Sequence, residues 1–130
     1  MIQPLKKILA IDDDENILTI IKYSLELQKN TTILCALSGD DGLKKALEFN
    51  PDLILLDVLM PSMDGFTTFR ALRKIKELTH CPIIFITARI QDSEIQKYLA
   101  QGVAGVIIKP FEPLTLFSDV QNIYIKHNSH

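Results

Sequence analysis

Five short runs of aliphatic residues, each followed by a stretch with helical periodicity, constrain the fold of this 130-residue chain more than any other feature. The runs cover Ile8–Ile11, Thr31–Leu37, Leu53–Leu56, Ile83–Thr87 and Ala104–Ile108. An apolar run of about four to eight residues is too short for a helix and is typical of a strand that is buried on both faces. Strands that alternate with helices favour a parallel sheet covered by helices on both faces, with right-handed crossovers. The sequence therefore predicts a single α/β domain over residues 1–130.

Apolar side chains recur at helical spacing in the stretches that follow the predicted strands. Asp14 and Ser38 are the expected N-caps of the first two helices, because their side-chain oxygens can accept a backbone N–H from the first turn. Gly102 lies just past the fourth helix, where a left-handed C-cap is expected, and Pro113 is expected to open the fifth. The expected apolar faces consist of Ile17, Ile20, Ile21 and Leu25; Leu43, Ala46 and Leu47; Phe66, Phe69, Leu72 and Ile75; Ile95 and Leu99; and Leu116, Val120, Ile123 and Tyr124.

Composition and charge exclude several classes of function. The net charge of -2 and the pI near 5.9 provide no basic surface for direct nucleic-acid binding. No apolar run approaches the roughly 20 residues of a membrane-spanning helix, and the amino terminus lacks the hydrophobic region of a signal peptide. Cys35 and Cys81 lack metal-ligand spacing and are expected to be small buried hydrophobes. We therefore expect a cytoplasmic protein with neither a nucleic acid nor a membrane as its partner.

Polar side chains follow four of the predicted strands at the point where each strand ends. Asp12 and Asp13 follow the first strand, Asp57 the third, Thr87 the fourth and Lys109 the fifth. Taken alone, Asp57 is equally well explained as a turn or capping residue. The carboxyl ends of parallel strands, however, meet at one edge of the sheet, where open α/β sheets bind ligands. Carboxylates about 4 Å apart repel by about 4 kcal/mol per pair near a protein surface, so such a pocket requires a cation, and Mg²⁺ prefers oxygen ligands.

Four segments carry a strong resemblance to a known family. They are Ile8–Asp14, Leu53–Gly65, Phe85–Ala88 and Gly105–Phe111, and together they extend over nearly the whole chain. In this order and at these separations, they resemble the receiver domain of bacterial two-component response regulators, including the single-domain receivers of chemotaxis and phosphorelays. The resemblance implies a five-stranded parallel sheet of order 2-1-3-4-5, the flavodoxin-like, doubly wound (βα)5 fold.

The resemblance also implies a function and a role for each site residue. The chain would accept a phosphoryl group on Asp57 from a phosphohistidine of a sensor histidine kinase or histidine phosphotransfer protein, or from a small acyl phosphate. It would then switch a surface that binds a downstream protein, and it would catalyse only its own phosphorylation and dephosphorylation. The implied Mg²⁺ ligands are Asp13 and Asp57 directly, Asp12 through water, and Leu59 through its backbone carbonyl. The implied phosphoryl contacts are Thr87, Lys109 and the Ala88 N–H, and the Lys109-Pro110 bond would be cis.

The sequence departs from the family pattern at position 106. Receivers usually carry an aromatic residue there, whose ring moves when the hydroxyl at Thr87 moves, whereas this chain has the stiff Val106. The expected output face remains the helix over 93–101, the strand through Val106, and the last helix with Phe117 and Tyr124. In the family, side chains at Leu59 and Arg89 flank the path of the hydrolytic water, and we hypothesise that these two large residues slow loss of the phosphoryl group.

Three alternatives remain open at this stage. A free-standing receiver is the first expectation, because the chain ends soon after its last helix, and a fragment of a longer regulator or hybrid kinase is the alternative. A hydrolase of the haloacid dehalogenase type also uses an aspartate nucleophile with Mg²⁺, but it needs an acid where this chain has Leu59. A flavin-binding electron carrier shares the topology, but acids after the first strand would repel its phosphate.

Overall fold

The five aliphatic runs form one parallel sheet in the computed structural model, which describes residues 3–28, 30–59, 65–88 and 91–129. The strand order is β2-β1-β3-β4-β5, and every pair of neighbours is parallel. The predicted order 2-1-3-4-5 and the flavodoxin-like α/β fold are therefore confirmed. The strands are β1 (Lys7–Ile11), β2 (Thr32–Ala36), β3 (Leu53–Asp57), β4 (Ile83–Ala88) and β5 (Gly105–Lys109).

Helices connect the strands and cover both faces of the sheet. They are α1 (Glu15–Glu26), α2 (Gly39–Phe49), α3 (Gly65–Arg73), α4 (Asp92–Ala100) and α5 (Leu116–Asn128), with a short 3₁₀ helix at Lys76–Leu78. None of the helices in the described part of the chain is both long enough and apolar enough to cross a membrane.

Successive side chains of each strand point to opposite faces of the sheet, so the domain has two hydrophobic cores, one on each face. In β3, Ile54 and Leu56 pack in the core beneath α2, α3 and α4, whereas Leu53 and Leu55 pack in the core beneath α1 and α5. All four of these side chains are at most 1% exposed. A continuous aliphatic run, rather than an alternating one, is the pattern that a strand covered on both faces requires. This is why the central run leaves no apolar side chain exposed.

The expected helix ends are largely those observed. The side chains of Asp14 and Ser38 accept backbone N–H groups of their first turns, from Asn16 and Asp41 respectively. Gly102 has φ +103°, so the left-handed conformation expected after α4 is present. Asn50 also adopts a left-handed conformation, with φ 51°, at the end of α2, a role that Asn tolerates better than most residues.

Some sequence expectations about helices were wrong. The fifth helix begins at Leu116 and not at Pro113, because the chain first makes a turn in which the Thr115 N–H donates to the Glu112 carbonyl. Leu47 was expected on an apolar face but is 63% exposed, and Ile20 and Leu99 are each 39% exposed. Periodicity predicts an apolar stripe, but the width of the stripe that neighbouring elements cover depends on their packing.

Candidate functional site

The polar residues at the strand ends meet at one edge of the sheet. Asp12 follows β1 directly, Asp57 is the last residue of β3, Thr87 and Ala88 end β4, and Lys109 ends β5. Because β3, β4 and β5 are parallel neighbours, Asp57 pairs with Ile86, Thr87 pairs with Ile108, and Ala88 pairs with Lys109. The topology therefore gathers residues that are far apart in sequence, as expected at the carboxyl edge of an open α/β sheet.

Three carboxylates form the centre of the site. Oxygens of Asp12, Asp13 and Asp57 all lie within 4.8 Å of one another. Asp12 is 2% exposed and Asp57 is 5% exposed, whereas Asp13 is exposed. Among the described residues, this is the one group of three or more acidic, histidine or cysteine side chains that are close enough to share a metal ion. The arrangement provides two buried anionic ligands and one that faces solvent.

Lys109 neutralises part of this charge. Its Nζ lies 2.9 Å from Asp12 Oδ2 and 3.7 Å from Asp57 Oδ1. Lys109 comes from the edge strand, so it reaches across β4 to Asp57 at the end of β3, and past β3 to Asp12, which follows β1. A lysine in contact with two acids compensates for their burial, although a single cation leaves three carboxylates with net negative charge.

Backbone donors hold the two buried carboxylates in place. The Asp14 N–H donates to Asp12 Oδ1 at 2.9 Å, and the Leu59 N–H donates to Asp57 Oδ1 at 3.2 Å. The first of these bonds depends on the start of α1, where Asp14 also caps the helix. The sequence predicts Asp14 only as a cap; the bond from its N–H to Asp12 depends on the loop conformation, which residue types alone do not indicate.

The pKa of Asp57 and the pKa of Lys109 are both raised in this site. Burial raises the pKa of Asp57 from 3.8 to about 6, and the negative charge of Asp12 adds to the rise, while Lys109 opposes it. Burial alone would lower the pKa of Lys109, but its hydrogen bond and charge interaction with Asp12, together with Asp57, outweigh burial and raise it. Lys109 therefore stays protonated, and Asp57 is mostly ionised only above about pH 6.

Thr87 brings a buried hydroxyl to the same edge. The residue is 1% exposed, and its Oγ1 has no hydrogen-bond partner among the described residues. A buried hydroxyl without a partner costs free energy, so most such groups in native proteins are paired. An unpaired hydroxyl at a ligand-binding sheet edge is consistent with a donor that is kept for a ligand.

Gly65 permits the chain to return close to the end of β3. A Cβ at this position would lie 2.5 Å from Val58 Cα, 2.8 Å from the Asp57 carbonyl oxygen and 3.0 Å from the Val58 carbonyl oxygen. The Gly65 N–H donates to that Val58 carbonyl at 2.8 Å. These neighbours are backbone atoms, which cannot rotate away as a side chain can.

Gly65→Ala is therefore expected to lower the free energy of unfolding by about 1–3 kcal/mol, the usual cost of overpacking. The backbone at Asp57 must shift to admit the methyl group, so metal binding should weaken in the same variant. Gly105→Ala is the matched control, because the added methyl would meet the Ile123 side chain, which can adjust. Urea unfolding of both variants measures the difference, and equal stabilities would contradict the steric argument.

The structure describes some of the remaining predicted site residues, but not all of them. Leu59 is next to the cluster and 67% exposed, so its side chain is largely in solvent. Arg89 and residues 60–64 of the central motif lie outside the described residues. Val106 is half-buried and pairs with Phe85, whose ring packs 5.3 Å, centroid to centroid, from that of Tyr98 in α4. The Lys109-Pro110 bond is cis, as predicted.

The chain is similar to known proteins in both sequence and fold. The family model "Response regulator receiver domain" matches residues 8–121. The solved structure of the chemotaxis protein CheY4 of Vibrio cholerae superimposes with a TM-score of 0.84 at 31% identity, over 92% of this chain and 99% of that one. A CheY-like receiver domain protein of Methanospirillum hungatei superimposes with a TM-score of 0.82 at 26% identity, over 95% of this chain and 97% of that one.

Two curated relatives are longer proteins. The alkaline phosphatase synthesis transcriptional regulatory protein PhoP of Bacillus subtilis is 36% identical over 118 residues, which are 91% of this chain and 48% of that protein. The transcriptional regulatory protein AfsQ1 of Streptomyces coelicolor is 37% identical over 116 residues, which are 89% of this chain and 50% of that protein. The chain thus spans about half the length of these curated relatives.

Proposed function

This chain belongs to the response regulator receiver domain family, and from that premise we propose that Asp57 is its phosphoacceptor and that Asp12, Asp13, Thr87, Ala88 and Lys109 serve the transfer. Receivers are phosphoacceptor signalling domains rather than classical enzymes, so the hydrolase and the flavin carrier are set aside. The observation that carries the proposal is the meeting of three carboxylates, Lys109 and an unpaired buried hydroxyl at one sheet edge. We further propose that residues 1–130 form a single receiver domain.

The acidic cluster fits a divalent cation of the Mg²⁺ type. Three carboxylate oxygens within 4.8 Å of one another repel, and two of them are buried, so a hard cation with oxygen ligands offsets an unfavourable charge distribution. In this proposal, Asp13 and Asp57 bind the ion directly, Asp12 binds through water, and Leu59 contributes its backbone carbonyl. When bound, the ion would supply positive charge that lets an anionic phosphoryl group approach the acids.

The chain's own residues have distinct roles in the transfer. An Asp57 carboxylate oxygen attacks phosphorus in line, and the bond from phosphorus to the donor's imidazole nitrogen breaks. The electron pair of that bond stays on the imidazole, which takes up a proton. Thr87 Oγ1, the Ala88 N–H and Lys109 Nζ would donate to the phosphoryl oxygens, where negative charge is spread in a loose transition state. Positioning and charge stabilisation therefore account for the catalysis.

The proposed donor is a phosphohistidine on a sensor histidine kinase or on a histidine phosphotransfer protein in the cytoplasm. Family membership supports a histidine kinase partner. The proposed output is a protein-interaction surface that phosphorylation alters, beginning with Thr87 and its loop.

Incubation with acetyl phosphate tests the proposal. With Mg²⁺ present, the intact mass of the chain should rise by one phosphoryl group, and a chelator of divalent cations should prevent the rise. Fragmentation should locate the group in the peptide that contains Asp57. A mass gain that is independent of the metal, or located elsewhere in the chain, would count against the assignment.

Metal binding should depend on pH through Asp57. The pKa of this carboxyl is raised to about 6, so protons compete with the cation below that pH, and affinity should fall about tenfold per pH unit there. The rise in melting temperature that Mg²⁺ causes should therefore shrink as the pH falls from 7 to about 5.

The metal-free chain should show the opposite trend: because the folded-state pKa of Asp57 lies above its unfolded value, this group's contribution to stability declines as pH rises from about 4 to about 6. Thermal melts across this range, with and without Mg²⁺, measure both trends, and a metal effect that does not change with pH would contradict the linkage.

A further inference from the structure

Asp14 connects the acidic cluster to the first helix without belonging to the cluster. Its backbone N–H donates to Asp12 Oδ1 at 2.9 Å, and its own Oδ1 accepts the Asn16 N–H at 2.9 Å. Each of these bonds joins a side chain to the backbone two residues further on, so two such turns follow one another and Asp14 takes part in both. The carboxylates that are close enough to share a metal ion are those of Asp12, Asp13 and Asp57, and Asp14 is not among them.

The two oxygens of Asp12 are held from different directions. Lys109 Nζ lies 2.9 Å from Oδ2, and the Asp14 N–H donates to Oδ1. Together these contacts fix the rotation of a carboxyl group that is 2% exposed. Asp13 lies between Asp12 and Asp14 in the chain, so its backbone is part of the same turn. The conformation of residue 14 therefore affects two of the three acids in the cluster.

The direction of the Asp14 N–H depends on the Asp14 side chain. Asp14 has an extended backbone, with φ -96° and ψ 107°, and from this conformation its side chain caps α1. Its carbonyl accepts the Leu18 N–H at 3.1 Å, which closes the first turn of the helix. Without the capping oxygen, the Asn16 N–H loses its partner and the first turn frays. The backbone of residue 14 is then no longer fixed, and neither is its hydrogen bond to Asp12.

We propose that Asp14 is a positioning residue for the metal site: by capping α1, it keeps the carboxylates of Asp12 and Asp13 in the arrangement that binds a divalent cation. This inference rests on the metal site proposed above and adds a residue that does not itself bind the ion. Groups that orient metal ligands from outside the ligand set typically change metal affinity by about 10-fold to 100-fold when they are removed. Asp14 is exposed, so truncating its side chain leaves no cavity in the core.

Two substitutions separate the cap from the charge of Asp14. D14N and D14A both remove the negative charge, but asparagine caps a helix about as well as aspartate does, whereas alanine does not. Titration with MgCl₂, followed through the backbone amide shifts of the isotopically labelled chain, measures the affinity of the folded protein. We expect D14A to bind Mg²⁺ about tenfold more weakly than D14N. D14N should bind within about threefold of the parent, because salt screens an exposed charge outside the cluster.

Two further measurements test whether Asp14 acts through Asp12. In the metal-free chain, the amide proton of residue 14 should exchange with solvent about tenfold faster in D14A than in D14N, because it has lost its hydrogen bond to Asp12. At saturating Mg²⁺, acetyl phosphate should phosphorylate D14A within about threefold of the parental rate, because the substitution weakens binding of the ion and leaves Asp57 and Lys109 unchanged.

Ser38→Ala is the matched control for the loss of an N-cap. The Ser38 side chain caps α2 by accepting the Asp41 N–H at 3.1 Å, and neither residue belongs to the acidic cluster. S38A should lower the urea midpoint about as much as D14A does, but it should leave the affinity for Mg²⁺ unchanged. Equal affinity of D14A and D14N, or an equal loss of affinity in S38A, would overturn the inference and leave the metal site intact. A parent chain that does not bind Mg²⁺ would overturn both.

Discussion

Asp57→Asn is expected to abolish the mass gain on incubation with acetyl phosphate and Mg²⁺. The carboxamide is close in shape to the carboxylate and can still accept the Leu59 N–H, which donates to Asp57 Oδ1 at 3.2 Å. It is a poor nucleophile, however, and it is a weaker ligand for a hard cation. Intact mass spectrometry of the parent and the variant under the same conditions measures the effect. Equal labelling of the two proteins would show that another side chain is the acceptor.

The same substitution should stabilise the metal-free protein, which distinguishes it from a variant that has merely lost its fold. The pKa of Asp57 is raised from 3.8 to about 6, so at pH 7 the ionised carboxylate is less favourable in the folded than in the unfolded chain. Removing its charge should raise the free energy of unfolding by about 1–3 kcal/mol, since a tenfold change in proton affinity between the two states corresponds to about 1.4 kcal/mol. Glu48→Gln, at an exposed site on α2, is the control and should change stability by less than about 0.5 kcal/mol. Urea unfolding with a chelator present measures both variants, and a destabilised Asp57→Asn protein would contradict this account of the site.

Lys109→Met is expected to slow phosphorylation by acetyl phosphate about 100-fold to 1000-fold, the usual cost of losing one donor that stabilises transition-state charge. Methionine keeps much of the length and apolar character of the lysine stem but has no ammonium group. In the parent, that group lies 2.9 Å from Asp12 and 3.7 Å from Asp57. The acceptor itself remains, so prolonged incubation should still label the chain.

Two further measurements separate the role of Lys109 in the transfer from a role in folding. Lys109 is the one cation of the described residues that pairs with Asp12 and Asp57. Without it the carboxylates carry more uncompensated charge, so Mg²⁺ should raise the melting temperature of the variant by more than it raises that of the parent. Lys126→Met, at an exposed position on α5, should leave both the rate and the response to Mg²⁺ unchanged. If Lys109→Met is phosphorylated at the parental rate, Lys109 does not contact the phosphoryl group in the transition state.

Much of the site could be predicted because its residues lie at the ends of strands that the sequence makes plain. Asp57 follows four consecutive aliphatic residues, and all of them are buried in the structure. Likewise, Lys109 follows a run in which Gly105 to Ile108 pair with β4. Features that depend on the path of a loop could not be predicted in this way. The Asp14 N–H bond to Asp12 and the close approach of Gly65 to Val58 both depend on loop conformation.

The exposure of residues on helix surfaces also depends on tertiary packing and not on helical spacing alone. Leu47 fits the helical spacing of α2 but is 63% exposed, because the neighbouring elements cover a narrower stripe than the spacing allows. The edge of β5 is a further example: the residues of the strand predict that it is buried, but only the assembled sheet determines that no described strand lies beyond it.

By itself, the sequence determined the alternation of strands and helices and the caps at Asp14 and Ser38. It also determined which acids, hydroxyl and lysine lie at the strand ends. Each of these features depends on residues that are adjacent in the chain. The tertiary structure alone decided the distances among Asp12, Asp57 and Lys109 and the raised pKa of Asp57. The physical reason is that charge interactions and burial depend on separation in space. That separation is established only when strands distant in sequence pack side by side.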